Sequence, residues 1–198
     1  MNTLDYNQTA LEHLNHDTVY KELTINNIPA LTDEINSFIL QIEEKNLSTH
    51  KLAHYIRPKM PPKTPLFYFL PKIHKPNNPP RPIISGCDSP TDRISNYLTN
   101  IFQPIAASQP TYLKDTKHLL QLLRDLPPLT HDTILVTADV SSLYTNIPHD
   151  KGIEVALRAL ETNKHILPND TPNNTIIKQF LRFILKENYF DFLDKHYV

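Results

Sequence analysis

Asp139 is the residue in this chain whose position most calls for a chemical reason. It closes the run Ile134, Leu135, Val136, Thr137, Ala138, an apolar, β-branched stretch that predicts a buried strand. A carboxylate at the end of such a strand has two readings. One is a turn cap, accepting hydrogen bonds from the backbone amides that follow. The other is a hard divalent cation, which takes carboxylate oxygen held on rigid backbone beside a phosphate. Five residues on, Tyr144 is spaced for a tight turn to carry its ring back beside that metal. Burial beneath a helix starting near Pro148 is the competing reading for the tyrosine. Any phosphate must be met by side chains. The only glycines are Gly86 and Gly152, which excludes a glycine-rich phosphate loop and a dinucleotide fingerprint.

Cations for such a phosphate are concentrated in one segment. Lys51, Arg57, Lys59, Lys63, Lys72, Lys75, Arg81 and Arg93 face only Asp88 and Asp92, a local charge of +6 in a chain whose total is −1. Tyr55, Phe67, Tyr68 and Phe69 interleave with them, a pattern that suits nucleic acid or a nucleoside triphosphate; a solvated basic loop is the alternative. Leu66 to Leu70 and Pro82 to Ser85 read as strands, and the Pro-Asn-Asn-Pro-Pro run between them reads as a turn. The resulting hairpin, residues 66–86, holds Lys72, Lys75 and Arg81 near its tip or on one face. Arg81 can fork onto a phosphate and Lys72 can add a point charge.

The elements that must position these residues follow from periodicity and punctuation. Residues 1–28 are polar and aperiodic and are expected to form a partly ordered arm. Leu31, Ile35, Phe38, Ile39 and Ile42 predict an amphipathic helix capped by Thr32, and a short helix is expected over residues 49–56. Residues 58–65 are too proline-rich for helix and should run extended. Ser89-Pro90-Thr91-Asp92 starts a helix whose apolar face, Ile94, Tyr97, Leu98, Ile101, Phe102 and Ile105, is expected in the core, with Pro104 kinking or ending it. Residues 113–126 give a further helix with Leu119, Leu122, Leu123 and Leu126 inward. After Asp139, a helix is expected from Pro148 and Asp150, carrying Ile153, Ala156, Leu157 and Leu160; another carries Ile176, Ile177, Phe180, Leu181, Ile184 and Leu185; residues 189–198 then suggest a hairpin centred on Asp194-Lys195.

Other chemistry is thinner. His50 and His54 are spaced for zinc, as are His13 and His16, but no third ligand lies nearby and surface histidines are the expectation. Cys87, the single cysteine, rules out an internal disulfide and reads as a buried spectator thiol in a reducing compartment. No apolar run reaches the roughly eighteen residues a membrane span needs, so no membrane partner is expected.

Two stretches resemble reverse transcriptases. Thr137 to Asp150, TADVSSLYTNIPHD, is similar to their A motif, and its SLYTNIP ending is closest to the Penelope-like retroelement branch. Phe67 to Gly86, FYFLPKIHKPNNPPRPIISG, resembles the fingers motifs, with LPKIHKP and RPIIS again of the Penelope-like type. The resemblance implies that Asp139 and the carbonyl of Val140 bind two Mg2+ ions, that Lys72 and Arg81 contact the incoming triphosphate, and that Lys75 contacts template backbone. Tyr144 would exclude the ribose 2′-hydroxyl.

The implied fold is α+β, a partial right-hand polymerase with a fingers β-hairpin, helices and an incomplete palm, the thumb absent. Its parts would be the arm 1–28, a fingers-like region 29–132 and a partial palm 133–198. The implied function is RNA-directed DNA polymerase, with RNA template, DNA primer and deoxynucleoside triphosphates as partners, in an intracellular location that includes the nucleus. The family's Tyr-x-Asp-Asp motif does not occur in this sequence. The expectation is therefore an N-terminal fragment inactive alone, with a non-catalytic nucleic-acid-binding remnant or interaction domain as the alternative.

Overall fold

The computed structural model describes residues 2–15, 19–76, 78–140 and 143–198, the side chains of Tyr144 and Thr145 excepted. In chain order the elements are α1 (Thr3–Leu14), β1 (Glu22–Leu23), α2 (Ile28–Glu44), α3 (His50–Ile56), β2 (Leu66–Pro71), β3 (Pro80–Ser85), α4 (Asp92–Ala107), α5 (Thr116–Arg124), α6 (Leu143–Asn146), α7 (His149–Thr162), α8 (Asn174–Lys186), β4 (Phe190–Phe192) and β5 (Lys195–Tyr197). The class is mixed α+β. Two compact units divide the chain: residues 1–98 with 169–198, and residues 99–168. None of the helices among the described residues is long and apolar enough to cross a membrane.

A five-stranded sheet organises the first unit, in the order β1-β5-β4-β2-β3, antiparallel except where β2 runs parallel to β4. The final hairpin, grouped by sequence with residues 133–198, is thus built into the sheet of the basic hairpin. Alternation along each strand sends Phe67, Phe69, Phe190, Phe192 and Tyr197 to one face, where all five are buried. Their rings pack closely: Phe190 stacks on Tyr197 at 5.4 Å and on Phe67 at 5.9 Å between centroids.

Helix α1 covers this aromatic face with Ala10 and Leu14, both buried, and starts at Asn2, whose side chain accepts from the Asp5 amide at 2.9 Å. The N-terminal region expected as a partly ordered arm therefore contains a docked helix. What anchors it is a short apolar set rather than a long periodic stripe. The Tyr6 ring lies on Phe69 at 4.2 Å with planes 7° apart, and its hydroxyl accepts the Phe69 amide at 2.9 Å. That amide points away from β3, and β4 pairs with β2 only at Leu66↔Asp191. Tyr6 therefore satisfies a β2 donor that no strand reaches.

Helices α2 and α8 supply much of the rest of this unit's core, with Leu52, Ala53 and Ile56 of α3 and Ile94 and Leu98 of α4. Ile35 and Ile39 are fully buried, and Phe38 meets Phe180 and Phe183 edge-on. Helix α2 begins one turn earlier than Thr32: Asn26 accepts the Ile28 amide at 2.8 Å and Pro29 occupies the first turn. Thr32 is buried inside the helix and donates its hydroxyl to the Ile28 carbonyl at 2.7 Å, so it is not the cap. Helix α8 is capped by Asn173 and buries Ile176, Ile177, Phe180, Leu181 and Phe183.

The second unit departs most from expectation. Helix α4 runs through Pro104 to Ala107. Helix α5 is capped by Asp115, but none of its residues is buried; Leu119, Leu122, Leu123 and Leu126 are 39–49% exposed instead of facing a core. Residues 133–140 form no strand, and Ile134, Leu135 and Val136 are 82–84% exposed. A strand exists only where a neighbour accepts and donates its backbone hydrogen bonds, and the sheet does not include this segment. Helix α7 behaves as its spacing predicts, burying Ile153 and Leu160.

Candidate nucleic-acid interface

The hairpin of β2 and β3 is where the sequence placed its cations. Its register pairs Leu66↔Ser85, Tyr68↔Ile83 and Leu70↔Arg81, and the Lys72 amide continues the ladder to the Pro79 carbonyl at 3.0 Å. Directly paired residues share a face, so Leu66, Tyr68, Leu70 and Arg81 project opposite to the buried Phe67 and Phe69. Two residues beyond Leu70, Lys72 falls on the same side by that alternation. Lys75 lies in the connecting turn, its amide on the Lys72 carbonyl at 2.9 Å; Asn77 is outside the described residues. Tyr68 is 40% exposed, and Arg81 and Lys75 are exposed.

The hairpin's outer edge is closed by its sequence. In this ladder Arg81, Ile83 and Ser85 direct their amides to β2, so the outward positions on β3 are 80, 82 and 84. Proline at 80 and 82 leaves Ile84 as the one outward donor of this strand, which keeps an edge strand from recruiting another chain.

The structure sorts the basic segment into two groups. Arg57 pairs with the Glu43 carboxylate, and Arg93 donates to the carbonyls of Tyr55 at 3.4 Å and Arg57 at 3.2 Å. Lys59 and Lys63 both pair with Asp88, the latter at 2.8 Å. Hydrogen bonds from Lys59 and then Lys63 hold the Asp88 carboxyl down from 3.8 to about 2, and Asp88 in turn raises the Lys63 ammonium. These four bases are tied up holding the loops around α3 and the start of α4. For Lys72, Lys75 and Arg81 no ion pair forms among the described residues, and all three belong to the hairpin end. Lys51, on α3, has none either. The +6 segment is thus half scaffold, and three of its four remaining bases lie in the hairpin that carries Tyr68.

Asp139 and Val140 lie in the second unit, on the exposed segment without strand pairing; Val140 is 60% exposed. Tyr144 falls on α6, but its side chain lies outside the described residues, as do Ser141 and Ser142, so its expected approach to Asp139 is not described. For magnesium the local donor set is one carboxylate and one carbonyl, and no group of three or more His, Cys, Asp or Glu side chains occurs among the described residues. A two-ion site takes carboxylates on both sides of the pair, so the described residues alone do not fit it.

His50 is 92% exposed and pairs with Glu43 at 3.0 Å. Cys87, expected to be buried, is exposed. A pair that spacing did not reveal is Asp191 with His196, Oδ1 to Nδ1 at 2.6 Å across β4 and β5. The sequence reading centred the final hairpin on Asp194-Lys195. The turn is Leu193-Asp194, both at positive φ (48° and 60°), a two-residue turn that shifts the register and brings residues 191 and 196 face to face.

No protein family, curated protein or solved structure matches the chain.

Proposed function

We propose that this chain supplies the fingers and the first part of the palm of an RNA-directed DNA polymerase of the retroelement type, the Penelope-like branch being the one its motifs resemble. The observation that carries the reading is the hairpin end, where Lys72, Lys75 and Arg81 have no ion-pair partner among the described residues while Arg57, Lys59 and Lys63 are paired with carboxylates. In this reading Arg81 grips the triphosphate of an incoming deoxynucleotide bidentately, Lys72 adds a point charge, and Lys75 meets template backbone. Tyr144 is the wall against a ribose 2′-hydroxyl. Asp139 and the Val140 carbonyl are the ligands assigned to magnesium, and since one carboxylate does not complete a two-ion site, nucleotidyl transfer is not assigned to these residues by themselves.

A second reading, a nucleic-acid-binding domain without catalysis, is favoured by that solitary carboxylate. Equilibrium titration with a fluorescent deoxyadenosine triphosphate analogue, against the matching monophosphate, separates the two. The polymerase reading expects the triphosphate to bind tighter, and Arg81→Ala to abolish the preference. Equal binding of both nucleotides, with polynucleotide binding retained, would leave only the second reading.

A further inference from the structure

In the first unit a cavity of about 160 Å3 opens where the first turn of α2, the start of α4 and the loop from α8 to β4 meet the end of β3. That is about the volume that takes one benzene ring. Ile28, Leu31, Pro65 and Ile84 make its apolar wall. The core residues Ile28 and Leu31 are buried, whereas Ile84 is 40% exposed and keeps the rim in reach of solvent. Opposite them stand the Ser89 and Thr91 hydroxyls, the Asn188 amide and the half-buried Glu187 and Tyr189. Of the residues lining the cavity, Glu187 alone carries a charge at neutral pH.

That carboxylate is placed for a cation. It follows the last turn of α8, whose terminal carbonyls carry partial negative charge. The Tyr189 hydroxyl donates to its Oε2 at 2.5 Å, which orients the group and leaves it further lone pairs to offer. This bond first, then burial and the charges of Glu187 and Glu34, raise the Tyr189 phenol above its ordinary 10, so it remains a donor at neutral pH. Glu34, on α2, thus brings a second negative charge within electrostatic reach of the same rim. No ion pair neutralises Glu187 among the described residues.

Two helices begin at the cavity, yet neither offers amides to an anion. Pro29 and Pro90 have no N–H. The Ile28 amide donates to the Asn26 side chain at 2.8 Å, the Leu31 amide to the Asn27 carbonyl at 3.0 Å, and the Ser89 amide to the Gly86 carbonyl at 3.1 Å. Asp92 adds a carboxylate to the first turn of α4.

We propose that this cavity binds a small organic cation, an ammonium on an apolar body the size of one benzene ring, the body against Ile28, Leu31 and Ile84 and the ammonium donating to Glu187. A free amine and the lysine side chain of a peptide share that chemistry. The site goes beyond the polymerase reading and does not depend on it, since it uses none of the hairpin cations.

The test is titration of the isotope-labelled chain at pH 7, followed by amide chemical shifts. Benzylamine is set against its neutral counterpart benzyl alcohol, and Nα-acetyl-lysine amide against Nα-acetyl-norleucine amide. At least one cation should shift the amides of Gly86, Ser89 and Tyr189 with a Kd of the order of 1 mM, in keeping with so small a ligand, and bind about tenfold tighter or more than its counterpart, the worth of a charged hydrogen bond. Which cation does so names the source. Glu187→Gln keeps an acceptor for Tyr189 and should bring that ratio close to one. Gly86 lines the cavity without positive φ, and a Cβ there meets Ser89 Oγ at 3.7 Å, an ordinary contact. Gly86→Leu therefore fits the backbone, fills space beside Ser89 and should abolish binding. Equal affinities within both pairs, shifts confined to other amides, a ratio that survives in folded Glu187→Gln, or binding retained by folded Gly86→Leu overturns the proposal. Should Gly86→Leu fail to fold, the Glu187→Gln ratio alone decides it.

Discussion

Replacing Tyr6 by phenylalanine removes one oxygen and leaves the ring that stacks on Phe69. That oxygen accepts the Phe69 amide at 2.9 Å, at a point where β2 has no neighbouring strand. A buried donor stripped of its acceptor costs about 1–3 kcal/mol. Tyr6 is only half-buried and water can reach the site, so the lower figure, about 1 kcal/mol, applies. In a chain of this length that is a fall of about 2–4 °C in Tm. Tyr6→Ala also gives up the ring contact at 4.2 Å and should cost more, toward the ~3–5 kcal/mol of buried aromatic deletions. Circular dichroism melts measure both, and amide hydrogen exchange reads the site itself, since the Phe69 amide should exchange faster in Tyr6→Phe. Unchanged melting in both variants, with an unchanged Phe69 exchange rate, would refute the docking of α1 on the sheet.

Two further outcomes separate scaffold from surface. Leu123→Gln on α5, where the leucine is 47% exposed, should change stability by no more than about 0.5 kcal/mol, whereas Ile177→Ala in the core should cost about 2–5 kcal/mol; comparable losses in urea titrations would mean that the α5 leucines are packed. Asp88 is held at about 2 by Lys59 and Lys63, below its ordinary 3.8, so its contribution is complete above about pH 4 and is lost as pH falls through about 2. The Tm gap between the unaltered chain and Asp88→Asn should therefore be constant from pH 7 to about 4.5 and close toward pH 2; a gap independent of pH would show that the pairing contributes nothing.

What the sequence made legible was the part whose logic is local. The proline-flanked hairpin, the α8 stripe of Ile176, Ile177 and Phe180, and the existence of α4 just after Ser89-Pro90-Thr91 are each set by neighbours within a few residues, although α4 begins at Asp92 and Ser89 is not its cap. Illegible was whatever depends on a distant partner. Ile134, Leu135 and Val136 have strand propensity, but propensity does not supply a neighbouring strand, and they stand exposed. The α5 leucines have helical spacing, but spacing does not say that another layer covers them. Tyr6 was missed because its role is fixed by Phe69, 63 residues away. Composition located the cations of the candidate site, yet only the ion pairs of Asp88 and Glu43 show which of those cations remain uncommitted.

That division of the basic segment is most directly tested by the salt dependence of polynucleotide binding. Affinity for an RNA–DNA primer–template should be titrated across a range of salt concentrations for the unaltered chain, for Lys72→Ala, Lys75→Ala and Arg81→Ala, and for Lys59→Ala and Lys63→Ala. Each hairpin substitution should flatten the slope of log affinity against log salt by roughly 0.7–0.9, the loss of one phosphate contact. The Lys59 and Lys63 substitutions should lower stability and leave the slope as it was. An equal flattening by all five would mean that the whole basic segment contacts the polyanion, and would contradict the assignment of the hairpin end as its binding face.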